Sequence, residues 1–101
     1  MKYSRARLEI AFDILSFIKN ELNGAKPTHI LYKANLSPYL LNKYLKILTN
    51  DGFIEKIKIE NKSLYKITNK GINFIGTIIS LDKLTSMITL SKLHRGESLE
   101  K

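Results

Sequence analysis

The sequence predicts a small, mostly helical α+β fold, and three observations carry that prediction. Apolar residues recur at three- and four-residue spacing over most of the chain, the period of a helix with one buried face. One stretch, Phe53 to Ile67, departs from that rhythm and alternates instead. Between the periodic stretches stand residues that start and stop helices, among them Gly24, Asn35, Ser37-Pro38, Asp51-Gly52 and Thr68. At 101 residues and 44% hydrophobic, the chain has the material for one packed domain, and wholesale disorder is excluded.

The first helix is expected from about Ser4, its N-cap, to Asn23. Leu8, Ala11, Ile14 or Leu15, Ile18 and Leu22 form its stripe, Gly24 ends it and Pro27 stops it. A second, short helix follows over Thr28 to Ala34, with Thr28 as cap, Ile30 and Leu31 as the buried side, and Asn35 as a left-handed end. The third has the clearest start in the chain. Ser37 caps it and Pro38 takes the first helical position, where its missing N–H costs nothing. Leu41, Leu45 and Leu48 line its buried face, and Asp51-Gly52 ends it.

A hairpin comes next. Ile57 and Ile59 alternate with Lys56 and Lys58, and Tyr65 and Ile67 alternate with Leu64 and Lys66. The strands are expected over Phe53 to Ile59 and Ser63 to Ile67, joined by a Glu60-Asn61-Lys62 turn in which Asn61 suits positive φ. Thr68 caps a last helix that runs to about Leu93, roughly 38 Å at 1.5 Å per residue. Its apolar residues are Ile72, Phe74, Ile75, Ile78, Ile79, Leu81, Leu84 and Ile88. The division expected is a head over 1–71, an arm over 72–93 and a frayed tail over 94–101.

Charge speaks to partners, not to fold. The formal net charge is +8. Residues 1–71 hold thirteen Lys and Arg against six Asp and Glu, while the last thirty residues hold four against three. The excess therefore sits on the head and points to an anionic polymer, nucleic acid first. No membrane partner is expected, because no apolar run approaches the roughly 20 residues of a span and no cationic helix face opposes bulky anchors. No apolar block follows the basic start Met1 to Arg5, so no signal peptide is expected. Cysteine is absent, which excludes disulfides and thiolate metal sites and permits a reducing compartment. The expectation is a cytoplasmic, nucleoid-associated protein.

The segment Thr28 to Gly52 fits a helix-turn-helix, with Leu36 packed into the corner of a turn so short that the two helices cross steeply. The Lys-bearing hairpin directly after it makes a winged helix-turn-helix. The stretch from Thr28 through Tyr32 to Ser37, the Tyr44 to Leu48 run and the Tyr65-Lys-Ile-Thr-Asn-Lys-Gly71 entry together resemble a known family. These are the small archaeal winged-helix DNA-binding proteins of about ten kilodaltons, which are chromatin-associated. The resemblance spans about Leu8 to Ile79. It implies a homodimer formed by antiparallel pairing of the last helices, with two DNA-binding heads. The last helix departs from that pattern in being richer in Ile, Thr and Ser and poorer in charge.

Tyr39, Asn42, Lys43 and Lys46 share the polar side of the third helix. A helix fits the major groove, where Asn pairs with adenine and Lys reaches guanine or a phosphate. Ser37 caps that helix and brings its N-terminal N–H groups near a phosphate. Lys56, Lys58, Asn61 and Lys62 form the wing edge and tip, suited to the DNA backbone. Edge lysines also deter strand aggregation, and both roles are compatible. Arg5, Arg7, His29 and Lys33 read first as solvated surface and second as residues flanking the groove that touch phosphates, and Tyr32 and Tyr44 read as core-edge residues.

Phe74, Ile78, Leu81, Leu84 and Ile88 approximate a heptad seam that would be wet in a monomer, hence the second expected partner, another copy of the chain. The proximal part, near Ile72 and Ile75, is expected against the first helix. No cofactor or metal is expected, because His29 and His94 stand far apart and no carboxylate cluster joins them. No phosphate loop or nucleophile–base pair is visible, so an enzyme is not expected. The function expected is double-stranded DNA binding by a transcriptional regulator. Two alternatives stand beside it, an architectural chromatin protein of low sequence specificity and a winged-helix adaptor that binds another protein; RNA binding is also open, though the aromatic platforms it needs are not evident.

Overall fold

The computed structural model describes the backbone of residues 7–94 and the side chains of residues 7–87. The elements are α1 (Arg7–Lys19), α2 (Pro27–Lys33), α3 (Pro38–Asn50), β1 (Ile54–Ile59), β2 (Lys62–Ile67) and α4 (Asn69–His94). Their order is the one expected from the sequence. Ser4, the expected first cap, lies outside the described residues, as does the tail from 95 onward. His94, expected in that tail, is the last residue of α4.

α1 buries Ile10, Ala11, Ile14, Leu15 and Ile18. It stops at Lys19, four residues short of the expected end, and Leu22 stands 80% exposed instead of continuing the stripe. The cause is local. Asn20 N–H bonds Phe17 O and Glu21 N–H bonds Ile18 O, three-residue bonds that tighten and close the helix before Leu22. Gly24 lies beyond this turn at φ +102°, with an ideal Cβ position 2.9 Å from the Leu64 Cβ. It is needed for the turn and for close approach to the wing rather than as a helix end.

The chain after Gly24 is drawn onto the hairpin. Ala25 N–H bonds Tyr65 O at 2.8 Å and Tyr65 N–H bonds Ala25 O at 3.0 Å, a bridge that periodicity gave no reason to expect. Pro27, expected as a stop, instead starts α2 at its first turn. Lys26 holds the cap position without a side-chain cap bond, so Thr28 is inside the helix. A proline with fixed φ and no N–H suits that position regardless of cap chemistry. Asn35, at φ 54°, ends the motif's first helix, and Leu36 is buried in the corner, both as expected.

α3 buries Leu41, Tyr44, Leu45 and Leu48. Its C-cap is Asp51, and Gly52 follows at φ +83°. β1 and β2 are antiparallel with Ile54 opposite Ile67, Lys56 opposite Tyr65 and Ile59 opposite Lys62. The turn is thus two residues, Glu60 and Asn61, at φ 51° and 66°. Lys62 belongs to β2 and not to the turn, because two left-handed residues match the twist of the strands. Ile54 and Tyr65 are buried and root the wing in the core. Burial pushes the Tyr65 phenol above its ordinary pKa.

α4 starts as expected, with Thr68 as cap: its Oγ1 accepts from Gly71 N–H at 3.1 Å. Ile75 joins the core beside α1, while Ile72, expected with it, is 41% exposed. One apolar cluster therefore links α1, α2, α3, the wing and the second turn of α4.

Candidate nucleic-acid interface

The outer face of α3 follows from its amphipathic spacing. With Leu41, Tyr44, Leu45 and Leu48 inward, helix geometry turns Tyr39, Asn42, Lys43 and Lys46 outward, and all four are exposed. Tyr39 is 74% exposed, so its ring is not spent on the core. Ser37 Oγ accepts from Leu40 N–H at 3.2 Å and fixes where this face begins. Ser37→Ala is expected to cost about 1 kcal/mol, lowering Tm by roughly 4–8 °C in a thermal melt.

Two shallow grooves flank that face. On the wing side, Asn42, Lys46 and Asn50 of α3 face Lys56 and Tyr65, with Leu45 and Thr49 below. The hydroxyl of Thr49 is buried there without a hydrogen-bond partner. On the other side, Arg7, Leu8 and Ala11 of α1 meet Lys43, Tyr44, Ile47 and Leu48. Among the described residues, no Asp or Glu lines either groove. Acids instead line a third, apolar groove between α1 and α4, where Glu9 and Asp82 stand with Leu8, Phe12, Ile78 and Leu81.

The structure thus brings Asn42, Lys46 and Lys56 into one groove. Lys58 shares the Lys56 face of the hairpin, two pairs further toward the tip, while Lys62 pairs with Ile59 on the opposite face. Asn61 is at the exposed tip. Sequence reasoning missed Asn50 and Thr49 as groove residues; Arg7, read first as solvated surface and otherwise as a phosphate contact flanking the DNA groove, lines the groove between α1 and α3. Tyr32, expected at the core edge, is 79% exposed, whereas Tyr44 is buried.

On α4, Ile78 and Leu81 line the acidic-rimmed groove and Leu84 is 54% exposed. Phe74 is engaged within its own chain, its ring 4.7 Å from that of Phe53. The Ile88 side chain lies outside the described residues. Among the described residues, no three His, Cys, Asp or Glu gather as a metal site, and no helix is long and apolar enough to cross a membrane.

A helix-turn-helix whose second helix is exposed and flanked by an antiparallel wing defines a winged helix-turn-helix protein. A family model of that description, winged helix-turn-helix, matches residues 4–86, and the chain belongs to this family. It is 32% identical over 80 residues to an uncharacterized protein of Methanocaldococcus jannaschii, covering 79% of this chain and 76% of that one. Sso10a-2, a DNA-binding protein from Sulfolobus solfataricus, superposes with a TM-score of 0.72 at 25% identity, over 91% of this chain and 94% of its own. MepR, a transcription regulator of the Staphylococcus aureus multidrug efflux pump MepA, superposes with a TM-score of 0.71 at 13% identity. That match covers 82% of this chain and 63% of MepR and speaks to the fold alone.

Proposed function

We propose that this chain binds double-stranded DNA as a homodimer and acts as a transcriptional regulator on the nucleoid, without enzymatic activity. The observation that carries the reading is the acid-free groove in which Asn42 and Lys46 of α3 meet Lys56 of the wing. In this reading α3 enters the major groove. Tyr39 and Asn42 meet base edges there, and Lys43 and Lys46 meet guanine or phosphate. Ser37 brings the N-terminus of α3 to the backbone, and Lys56, Lys58, Asn61 and Lys62 hold the backbone from the wing. Similarity to a DNA-binding protein across nearly the whole of both chains supports it.

The two heads are joined through α4. The molecule extends 60 × 32 × 20 Å, and its radius of gyration is 16.9 Å, against about 13 Å for a compact chain of this size. Ile79, Leu81, Leu84 and Met87 are 43–66% exposed on the projecting part. The head of residues 1–71 thus carries a dimerisation helix over 72–93, although Ile75 of that helix is itself core.

Anisotropy on a labelled random-sequence duplex, across a salt series and with genomic competitors, tests the reading. A regulator binds the random duplex weakly, and one fragment wins by about 10³-fold or more. Tight, salt-steep binding that all fragments compete away equally overturns the regulator role in favour of an architectural one. No binding at low salt overturns DNA binding itself and leaves the adaptor. On the winning fragment, Asn42→Ala is expected to cost about 1–3 kcal/mol and relax preference at one base pair. Unchanged affinity and selectivity would remove Asn42 from the readout.

A further inference from the structure

The groove between α1 and α3 contains a pairing of charges that folding alone does not explain. Its walls are mostly apolar, and its only charged residues among the described ones are Arg7 at the start of α1 and Lys43 in the middle of α3. Both side chains are exposed, and neither has a hydrogen-bond or ion-pair partner among the described residues. Two cations brought to one groove repel each other, and among the described residues no carboxylate lines that groove. Glu9, two residues from Arg7, lines the groove against α4 instead. An anion between Arg7 and Lys43 removes the repulsion, and a guanidinium suits a phosphate in particular because it donates two parallel hydrogen bonds.

The position of this groove indicates which phosphate. α3 has Lys46 and Lys56 on one flank and Lys43 with Arg7 on the other. A helix with its side chains is about 10–12 Å across, and the major groove of B-DNA is about 12 Å wide. A helix seated there has one phosphate strand along each flank. If the wing flank meets one strand, the α1 flank meets the other.

We infer that Arg7, with Lys43, is a second phosphate contact, on the strand opposite the wing, so that the DNA-binding surface of this chain extends from α3 onto α1. The inference rests on the DNA-binding reading above and adds α1 to it. Its partner is the sugar-phosphate backbone of duplex DNA, so Arg7 contributes affinity and register but no base preference.

The test is the salt dependence of binding by the full chain to a random-sequence duplex. Each neutralised phosphate contributes about 0.9 to the slope of log K against log salt. Arg7→Ala is expected to flatten the slope by about that amount and to weaken binding roughly tenfold at low salt. Arg7→Lys, which keeps the charge, should restore the slope. Lys19→Ala, at the far end of the same helix and equally exposed, should leave it unchanged. An Arg7→Ala protein with the parent slope overturns the contact while leaving the DNA reading intact, because the parent still binds. Equal flattening by Lys19→Ala also overturns it, since any lost charge would then act alike. A parent that binds no duplex overturns both.

Discussion

Gly71→Ala is expected to destabilise the head by about 2–3 kcal/mol, a fall in Tm on the order of 10–20 °C. Helix propensity alone predicts the opposite sign, because alanine is better than glycine inside a helix by about 1 kcal/mol. Packing decides. A Cβ at Gly71 would stand 2.3 Å from the Phe53 carbonyl oxygen and 2.7 Å from Ile67 Cγ1. Neither neighbour can swing away, since one is backbone and the other is a side chain packed on the core.

Nor can α4 slide to make room. Thr68 N–H bonds Phe53 O at 3.1 Å, and the Thr68 hydroxyl reaches the Gly52 and Phe53 carbonyls at 2.6 and 3.0 Å. Lys70 Nζ donates to Asp51 O at 2.6 Å and stands 4.8 Å from the centre of the Phe53 ring, whose other neighbour is Phe74. The end of α3 and the start of α4 are thus held by bonds that Thr68 and Lys70 donate to the carbonyls of three consecutive residues, Asp51, Gly52 and Phe53. Thermal unfolding followed by circular dichroism checks the prediction. A variant as stable as the parent would show that this junction yields.

This junction also marks the line between what was legible in the sequence and what was not. Ser37-Pro38 and Thr68 were readable as helix starts because a cap is satisfied within its own turn. The end of α1 was not. Leu22 keeps the helical spacing, and only the backbone bonds after Lys19 take it out of the helix. Pro27 is a stop by one rule and a first-turn residue by another, and the bridge of Ala25 to Tyr65, which draws the preceding loop onto β2, is not local information. The same division holds at the candidate site. Tyr39, Asn42, Lys43 and Lys46 could be read as one face from helical period alone. Their neighbours could not: Lys56 comes to line the same groove as Asn42 through the placing of the hairpin beside α3, and Arg7 comes to line the same groove as Lys43 through the placing of α1. Phe74 has the seam's spacing, yet its ring is taken by Phe53. Spacing shows that a residue is on a face, and tertiary packing determines what covers it.

The other large effect concerns the arm. Leu81→Asp with Leu84→Asp is expected to convert the proposed dimer to a monomer in sedimentation experiments without loss of the head's fold. The two leucines are 55% and 54% exposed, so in a lone chain the new carboxylates stay in water at little cost to folding. In a dimer the same positions are buried on both chains, and each leucine covered contributes roughly 1.5–3 kcal/mol. Replacing them with charges removes that gain and adds the cost of burying unpaired carboxylates. Asp82, which already rims the neighbouring groove, adds repulsion. The consequence for DNA is a loss of linkage. Two joined heads bind a two-site duplex with an avidity that can exceed a single head's affinity by about 10²–10⁴-fold. The monomer should therefore lose that factor on a duplex with two half-sites about 34 Å apart, while its affinity for a single half-site stays at the parent value. Loss of affinity on both duplexes would mean that the substitutions had damaged the head. A dimer that survives both changes would rule out α4 as the joining element, and the wet leucines of the arm would then need another partner.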